Sequence, residues 1–301
     1  MFQRYINNQI KLIPKKQPLH VDLVFEGGLF NGSYQLGFLA YIKQMEKLQL
    51  IQVKRISGCS IGAFMALLYF IDVSLDDNIN FVSNIIYNHA KKHHNINIFD
   101  KVYAHYIKFL PNNFLDIING KLFITYNDVS KNKQIVKSKY ASVEELFDVI
   151  RRSCSIPYII DKTLFYNNKY IDGLYPYIFK PKKNRKIINL NIINLQKLDF
   201  FTIKNETNNI QRVINGIIDT HVFFSLSSFS NMCSYVDEWS IITRFKYIIK
   251  IKFSQLFINL FHYIYILIKI FKKYNHDNHT GDFINTLFVV ICKFVFISFC
   301  V

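Results

Sequence analysis

Glycine is rare in this 301-residue chain, and its placement constrains the fold more than any other feature of the sequence. Only ten glycines occur. Glycine is favoured where the backbone turns sharply or is approached closely by other atoms. The sequence therefore predicts that the glycine clusters are turns with a structural or chemical purpose. Seven of the glycines fall in three short places, which are Gly27, Gly28, Gly32 and Gly37, then Gly58 and Gly62, then Gly173.

The segments around the first two clusters alternate between strand and helix. Residues 21–25 form a short apolar run typical of a buried strand, and apolar spacing predicts a helix over 33–48. Residues 55–57 are predicted to be a second strand, and a helix is predicted over 61–71. Strand, turn and helix repeated in this order are typical of a parallel sheet covered by helices, so the predicted fold class is α/β.

Later segments extend this pattern. Strands are predicted over 122–126 and 187–193, and a helix over 210–224. The residues Ser-Val-Glu-Glu at 142–145 form a capping box, which predicts the start of another helix. The polar stretch 74–111 is predicted to be helical with loops.

The second glycine cluster contains a candidate nucleophile. Gly58-Cys59-Ser60-Ile61-Gly62 is a G-x-S-x-G pattern between a predicted strand and a predicted helix. In a nucleophile elbow the serine occupies a sharp turn, and small neighbours let the strand and the helix approach each other. The helix N-terminus would then favour negative charge developing at the serine. The alternative is an ordinary glycine-containing turn.

A serine nucleophile needs a proton acceptor. None of the nine histidines stands in an obvious loop at a strand end after an acid. Asp172 ends a short apolar stretch and precedes Gly173, so it is the candidate base, with an Asp-Gly turn as the alternative. A Ser-His-Asp arrangement with a remote histidine such as His221 is a further alternative. The run of histidines at 89–94 is most simply a solvated basic face rather than a metal site.

The first glycine cluster, from Glu26 to Gly32, could present backbone N–H groups to an oxyanion. The spacing G-x-G-x-x-G of dinucleotide-binding loops is absent, and so is the Gly-Lys-Ser/Thr of a P-loop.

Together these segments resemble the patatin-like phospholipases over about residues 20–195. Residues 24–39 resemble the glycine-rich oxyanion segment of that family, and residues 58–62 are similar to its nucleophile elbow. Residues 152–157 resemble its Ala-Ser-x-x-x-Pro block, and residues 170–173 its Asp-Gly motif. The sequence also resembles patatin-like proteins of large DNA viruses, which fits a composition rich in Ile, Asn and Lys.

The resemblance implies a three-layer α/β/α fold with a mostly parallel central sheet, and a lipid acyl hydrolase of the phospholipase A type. It implies a Ser-Asp dyad in which Ser60 attacks the ester and Asp172 is the general base. No metal or cofactor is implied. The substrate would be a phospholipid or another acyl lipid. Oxyanion-binding N–H groups are expected near Gly27, Gly28 and Leu29, and the supporting motif glycines are Gly32, Gly58, Gly62 and Gly173.

Two residues depart from the family pattern. Leu29 stands where the family usually has a third glycine, and Asn31 stands where it usually has a basic residue. Because leucine disfavours positive φ, the loop is expected to use ordinary backbone angles at Leu29. The change at Asn31 removes a positive charge near the oxyanion or a lipid phosphate. The alternative to an active enzyme is therefore a catalytically degraded, membrane-binding protein of the patatin fold.

The sequence divides into a basic lead-in (1–20), a catalytic domain (21–240) and an apolar, basic C-terminal region (241–301). Residues 253–271 place apolar side chains on one helical face, flanked by lysines, which predicts an amphipathic helix on an anionic membrane. A transmembrane span, disfavoured by Asn259 and His262, and a core helix are the alternatives. Residues 283–301 have about the length of a span, interrupted by Lys293.

The net charge is +16, yet no nucleic-acid recognition motif accompanies it, so no specific nucleic-acid partner is predicted. Five cysteines without C-x-x-C spacing indicate a reducing compartment and no structural zinc. The first residues lack the apolar core of a signal peptide. The predicted location is intracellular, in the cytoplasm or in a host-cell cytoplasm for a viral protein, in association with membranes.

Overall fold

The computed structural model describes residues 2–13, 18–93, 96–160, 163–192, 202–226, 229–274 and 290. The centre of the fold is a seven-stranded sheet. Six strands follow the order β4-β3-β2-β1-β6-β7, and the seventh strand, β5, pairs with β3. The strands are β1 (Leu19–Phe25), β2 (Ile51–Cys59), β3 (Leu122–Asp128), β4 (Lys133–Lys137), β5 (Tyr170–Ile171), β6 (Lys186–Leu190) and β7 (Cys233–Tyr235).

Strands β3, β2, β1 and β6 are parallel to one another, whereas β4, β5 and β7 pair antiparallel at the margins. The central pairings place the carboxyl ends of β1 and β2 side by side, because Phe25 lies opposite Gly58. The helices are α1 (Phe2–Ile10), α2 (Gly32–Lys47), α3 (Ile61–Tyr69), α4 (Leu75–Phe81), α5 (Asn88–His93), α6 (Phe99–Tyr106), α7 (Phe114–Ile118), α8 (Val143–Ser153), α9 (Ile210–Leu226) and α10 (Ile241–Tyr274). The predicted α/β fold with a mostly parallel sheet, and the apolar C-terminal helix, are confirmed.

Several boundaries differ from the sequence prediction. Strand β2 begins at Ile51 rather than Arg55, because it follows β1 in register from Leu19 onwards. The basic lead-in 1–20 contains α1 and the first residues of β1, and Ile6 of α1 is buried in the main core. The strand predicted over 187–193 ends at Leu190, and residue 193 lies outside the described residues.

The predicted capping box at 142–145 is present. The Ser142 hydroxyl accepts a hydrogen bond from the Glu145 N–H at 3.1 Å. The Glu145 carboxylate reaches back to the N–H of Ala141 at 2.7 Å, one residue before the cap. The first bond satisfies an amide group that the first turn of α8 leaves unpaired, and the second ties the residue before the cap to the same turn.

The longest helix, α10, lies along the domain on one side only. Ile258 is buried, and Phe261 and Tyr265 pack around Phe165. The opposite side exposes a row of large apolar residues, among the described residues Ile241, Ile242, Phe245, Ile248, Phe253, Leu256, Phe257, Leu260, Tyr263, Leu267 and Ile270. Residues 241–270 are long and apolar enough to cross a bilayer, and little of this helix is buried, unlike a core helix. The segment 283–301 lies outside the described residues except for residue 290.

Helices α2 and α9 cross at two glycines. A Cβ atom on Gly37 would lie 2.2 Å from the carbonyl oxygen of Val213, and one on Gly216 would lie 2.1 Å from that of Tyr34. The two backbones therefore touch directly. No side chain lies between them that could move aside for an added Cβ. The crossing fixes α2, which begins at the glycine-rich loop.

We expect Gly216→Ala to lower the free energy of unfolding by about 3 kcal/mol, because overpacking here must move backbone. The measurement is urea unfolding followed by circular dichroism. Gly120→Ala is the matched control: nothing lies within 4 Å of an added Cβ there, although φ is +75°. Its cost should be only the backbone strain of about 1–2 kcal/mol. Equal losses in both variants would contradict the close crossing.

Candidate active site

Ser60 occupies the sharp turn between β2 and α3. Its backbone angles are φ +53° and ψ −136°, a combination that non-glycine residues seldom adopt and that is stored at functional turns. Glycines on both sides make the turn possible. A Cβ on Gly58 would lie 2.3 Å from the carbonyl oxygen of Gly62, and one on Gly62 would lie 2.5 Å from that of Phe25. The geometry is that of a nucleophile elbow.

Ser153, at the end of α8, holds this turn from the other side. Its hydroxyl accepts a hydrogen bond from the Ser60 N–H at 2.9 Å and donates one to the Thr125 carbonyl at 2.6 Å. Sequence reasoning placed Ser153 in a family block but gave it no role. The structure shows that it joins the elbow to strand β3.

Asp172 follows β5 and is brought next to the elbow by bonds of its own backbone. Its N–H donates to the Ser155 carbonyl at 3.0 Å, and its carbonyl accepts from the Asn127 amide at 2.6 Å. Gly173 must be glycine here, because a Cβ would lie 2.3 Å from the Thr125 carbonyl oxygen. The ends of β3, α8 and β5 thus place the carboxyl group of Asp172 beside Ser60.

The Asp172 carboxyl is buried and titrates abnormally. Burial raises its pKa from 3.8 to about 6, while the nearby Ser60 hydroxyl and the Leu174 N–H act in the opposite direction. Oδ1 accepts the Leu174 N–H at 2.8 Å. Among the described residues, no group makes a hydrogen bond of normal geometry to the buried Oδ2. The Ser60 hydroxyl is close enough to affect the carboxyl, and such pairs often tighten only when substrate binds.

The glycine-rich loop lies against the serine. A Cβ on Gly27 would be 2.9 Å from the Cβ of Ser60 and 3.6 Å from its Oγ, so only glycine leaves room there. Leu29 has φ +46°, and the expectation of ordinary backbone angles at this position was wrong. The loop turns directly into a 3₁₀ turn over Leu29–Asn31 and then into α2, and this path requires the left-handed conformation. For leucine that conformation costs about 1–2 kcal/mol.

Two residues anchor the loop from distant elements. The Asn31 amide donates to the Ile192 carbonyl at 3.0 Å, and the guanidinium of Arg212 on α9 donates to the Asn31 oxygen. The cation that the sequence lacks at position 31 is therefore close by, on another helix. It is already paired, however, because Glu206 binds the same guanidinium at 2.6 Å. No motif in the sequence marked Arg212.

The segment that holds Ser60, Asp172 and the glycine-rich loop matches a known family. Residues 23–175, just over half of the chain, match the family model described as "Patatin-like phospholipase". The chain belongs to this family. The match includes Ser60, Asp172 and the glycine-rich loop, so this geometry is that of a patatin-like phospholipase domain.

The names of curated relatives of this patatin-like domain describe reactions on lipids. The mouse protein "1-acylglycerol-3-phosphate O-acyltransferase Pnpla3" is 25% identical over 159 residues, which are 50% of this chain and 38% of the relative. Its human counterpart is 24% identical over 159 residues, which are 50% of this chain and 33% of the relative. The human "Omega-hydroxyceramide transacylase" is 25% identical over 161 residues, covering 50% and 30%. This chain spans between about a third and two fifths of those proteins.

An apolar cavity of about 90 Å³ opens beside the Ser60 side chain. Leu29 and Phe64 form part of its wall. Phe99, at the start of α6, and Ile156, which follows α8, form another part. Apart from Ser60 and the Cys154 thiol its lining is hydrocarbon, which suits an acyl chain. A larger charged cleft of about 460 Å³ lies near the start of β2 and includes neither Ser60 nor Asp172.

The remaining histidine alternative is not supported by the geometry. The Nδ1 of His221 is 2.9 Å from the Tyr41 hydroxyl, and its Nε2 is 3.3 Å from the Ser225 hydroxyl. Both ring nitrogens therefore face partners other than Ser60 and Asp172. In the part of the chain that the structure describes, no three His, Cys, Asp or Glu side chains form a metal-binding group.

The raised pKa of Asp172 predicts a pH-dependent gain in stability for Asp172→Asn. In the folded protein the carboxyl binds its proton up to about pH 6, whereas unfolded aspartate releases it near 3.8. Wild type therefore loses stability as pH rises between these values. Asp172→Asn should be more stable than wild type by about 3 kcal/mol at pH 7.5 and by about 1 kcal/mol at pH 4.5.

Urea unfolding at the two pH values measures this difference. Asp116→Asn, at an exposed aspartate on α7, is the control and should give little change at either pH. A gain for Asp172→Asn that is the same at both pH values would contradict the raised pKa.

Proposed function

We propose that this protein is a lipid acyl hydrolase in which Ser60 is the nucleophile and Asp172 is the general base. The observation that carries the proposal is the meeting of three features at one point. A serine lies on a strained elbow, a buried carboxyl lies beside it, and the same serine lines an apolar cavity. An enzyme that hydrolyses an acyl ester through a serine needs these three features: an attacking hydroxyl, a proton acceptor and a place for the hydrocarbon chain.

In the proposed reaction, the Ser60 hydroxyl attacks the ester carbonyl carbon and its proton passes to the Asp172 carboxylate. With a pKa of about 6, this carboxyl is mostly ionised at neutral pH and is still basic enough to accept the proton. The oxyanion is stabilised by N–H groups of Gly27, Gly28 and Leu29. The alcohol departs with the proton from Asp172, and water then releases the fatty acid from Ser60.

Acyl transfer is the second candidate, because the relatives are named as an acyltransferase and a transacylase. It uses the same acyl-enzyme. The outcome depends on whether water or the hydroxyl of a second lipid takes the acyl group from Ser60. A catalytically degraded protein is the third candidate. It is favoured by the strained backbone of Leu29 and by the ion pair that already occupies Arg212.

We expect Ser60→Ala and Asp172→Asn each to reduce fatty-acid release from phospholipid vesicles to background, because each removes a reacting group. Ser57→Ala is the matched control on the same strand. Ser57 is buried, and its hydroxyl has no hydrogen-bond partner among the described residues, so its loss should leave the rate unchanged.

The products separate the three candidates. Free fatty acid indicates hydrolysis, and a new acyl lipid formed when monoacylglycerol or lysophosphatidic acid is added indicates transfer. A fluorophosphonate probe should label wild type and not Ser60→Ala. Equal release by wild type and Ser60→Ala would exclude Ser60 as nucleophile, and an unlabelled, inactive wild type would favour the degraded candidate.

We further propose that 21–240 is the catalytic domain and that 241–301 attaches it to anionic membranes inside the cell. Support comes from the exposed apolar face of α10 and from the lysines on the same helix, such as Lys246 and Lys252. Apolar insertion and attraction to anionic lipid act together on such helices. The proposed partners are thus a phospholipid or other acyl lipid and a membrane surface, with no specific nucleic acid. A viral origin rests only on composition.

We expect Phe253→Ser with Leu256→Ser and Phe257→Ser to reduce binding to vesicles containing phosphatidylserine by about 100-fold or more, because each apolar side chain contributes roughly 1 kcal/mol or more on insertion. Vesicle co-sedimentation measures this. Leu12→Ser, at an exposed leucine outside α10, is the control. Unchanged binding of the triple variant would contradict the proposed membrane face.

A further inference from the structure

One ion pair joins the C-terminal helix to the glycine-rich loop. The ammonium group of Lys250 on α10 contacts Oε2 of Glu26, the residue between β1 and Gly27. Glu26 is almost fully buried, with 1% of its side chain exposed, whereas 30% of the Lys250 side chain is exposed. The other carboxylate oxygen of Glu26 accepts the Asn189 amide at 3.1 Å.

Two more observations indicate that α10 crosses the carboxyl ends of the central strands. Tyr247, one turn before Lys250, has its pKa raised by burial and by the charge of Glu26. Farther along, Nδ1 of His262 contacts the Val129 carbonyl, just past the end of β3. The inner side of α10 thus lies over the region where Ser60 and the loop are found.

The charge of Glu26 makes this attachment strong. A buried carboxylate that loses its cation is strongly destabilised, so Glu26 and Lys250 have to move together or not at all. The backbone of Glu26 is held as well, because its carbonyl accepts the Gln35 amide at 2.8 Å. The next residue, Gly27, lies against Ser60. A displacement of Glu26 would therefore move the proposed oxyanion-binding N–H groups.

We propose that Lys250 is a positioning residue that fixes the glycine-rich loop against Ser60 from the membrane-facing helix. This inference rests on the proposed function. The outer side of α10 is the face that we propose binds lipid, and a helix is about 10 Å across. The same pair would therefore set the distance between the bilayer surface and the reacting serine.

The first test uses a water-soluble substrate, p-nitrophenyl butyrate, so that membrane binding plays no part. We expect Lys250→Met to lower kcat on the order of 100-fold with little change in KM, because a small misplacement of reacting groups has effects of this size. Lys250→Arg should restore most of the rate. Lys11→Met, at an exposed lysine outside α10, should behave as wild type.

A double variant separates pairing from simple loss of packing. Glu26→Gln with Lys250→Met leaves no unpaired buried charge, so it should be more active and more stable than Lys250→Met alone. A double variant no better than the single one would contradict the role of the ion pair, as would wild-type kinetics in Lys250→Met.

Hydrogen exchange gives a readout that needs no catalysis. Amides of residues 26–32 should exchange faster in Lys250→Met than in wild type or Lys11→Met. Unchanged exchange would overturn the positioning role even for an inactive protein. An inactive, unlabelled wild type whose loop nevertheless loosens in Lys250→Met would contradict the proposed function and leave the positioning of the loop confirmed.

Discussion

The close approach of the Gly62 backbone to the end of β1 is the contact on which the site depends. A side chain at this position would overlap the carbonyl groups of Phe25 and Glu26. Because the two backbones touch, the N-terminus of α3 and the glycine-rich loop stand next to each other, with Ser60 between them. The strain at Ser60 and Leu29 is tolerated because the surrounding packing leaves no other path for the chain.

Burial has opposite consequences for stability and for chemistry at Asp172. Removing the carboxyl from water raises its pKa, which weakens the folded state at neutral pH. In the proposed reaction, the same shift makes the carboxylate a better base for the Ser60 hydroxyl. Nearby, Glu26 is also buried but is paired with a cation from α10. Both carboxylates lie close to the elbow, but their burial is accommodated differently: Glu26 forms an ion pair, and the pKa of Asp172 is raised.

The fold could be predicted largely from local patterns. The strand at 21–25, the helices after Gly32 and Ser60 and the capping box at Ser142 depend on neighbouring residues, and their approximate positions are confirmed. Boundaries were less accurate, because the start of β2 is set by its pairing with β1. The backbone at Leu29 was predicted wrongly: residue preference favours negative φ, but the connection into α2 requires the opposite sign.

The sequence by itself determined the family, the elbow with Ser60 and the candidate base, because glycines and turns act over a few residues. Only the tertiary structure decided which distant groups reach the loop. Arg212 meets Asn31 across 181 residues, and Lys250 meets Glu26 across 224. Neither pairing has a local signature, since each arises from how α9 and α10 pack on the sheet. The exposed side of α10 was decided in the same way, because packing chooses which face of an apolar helix is buried.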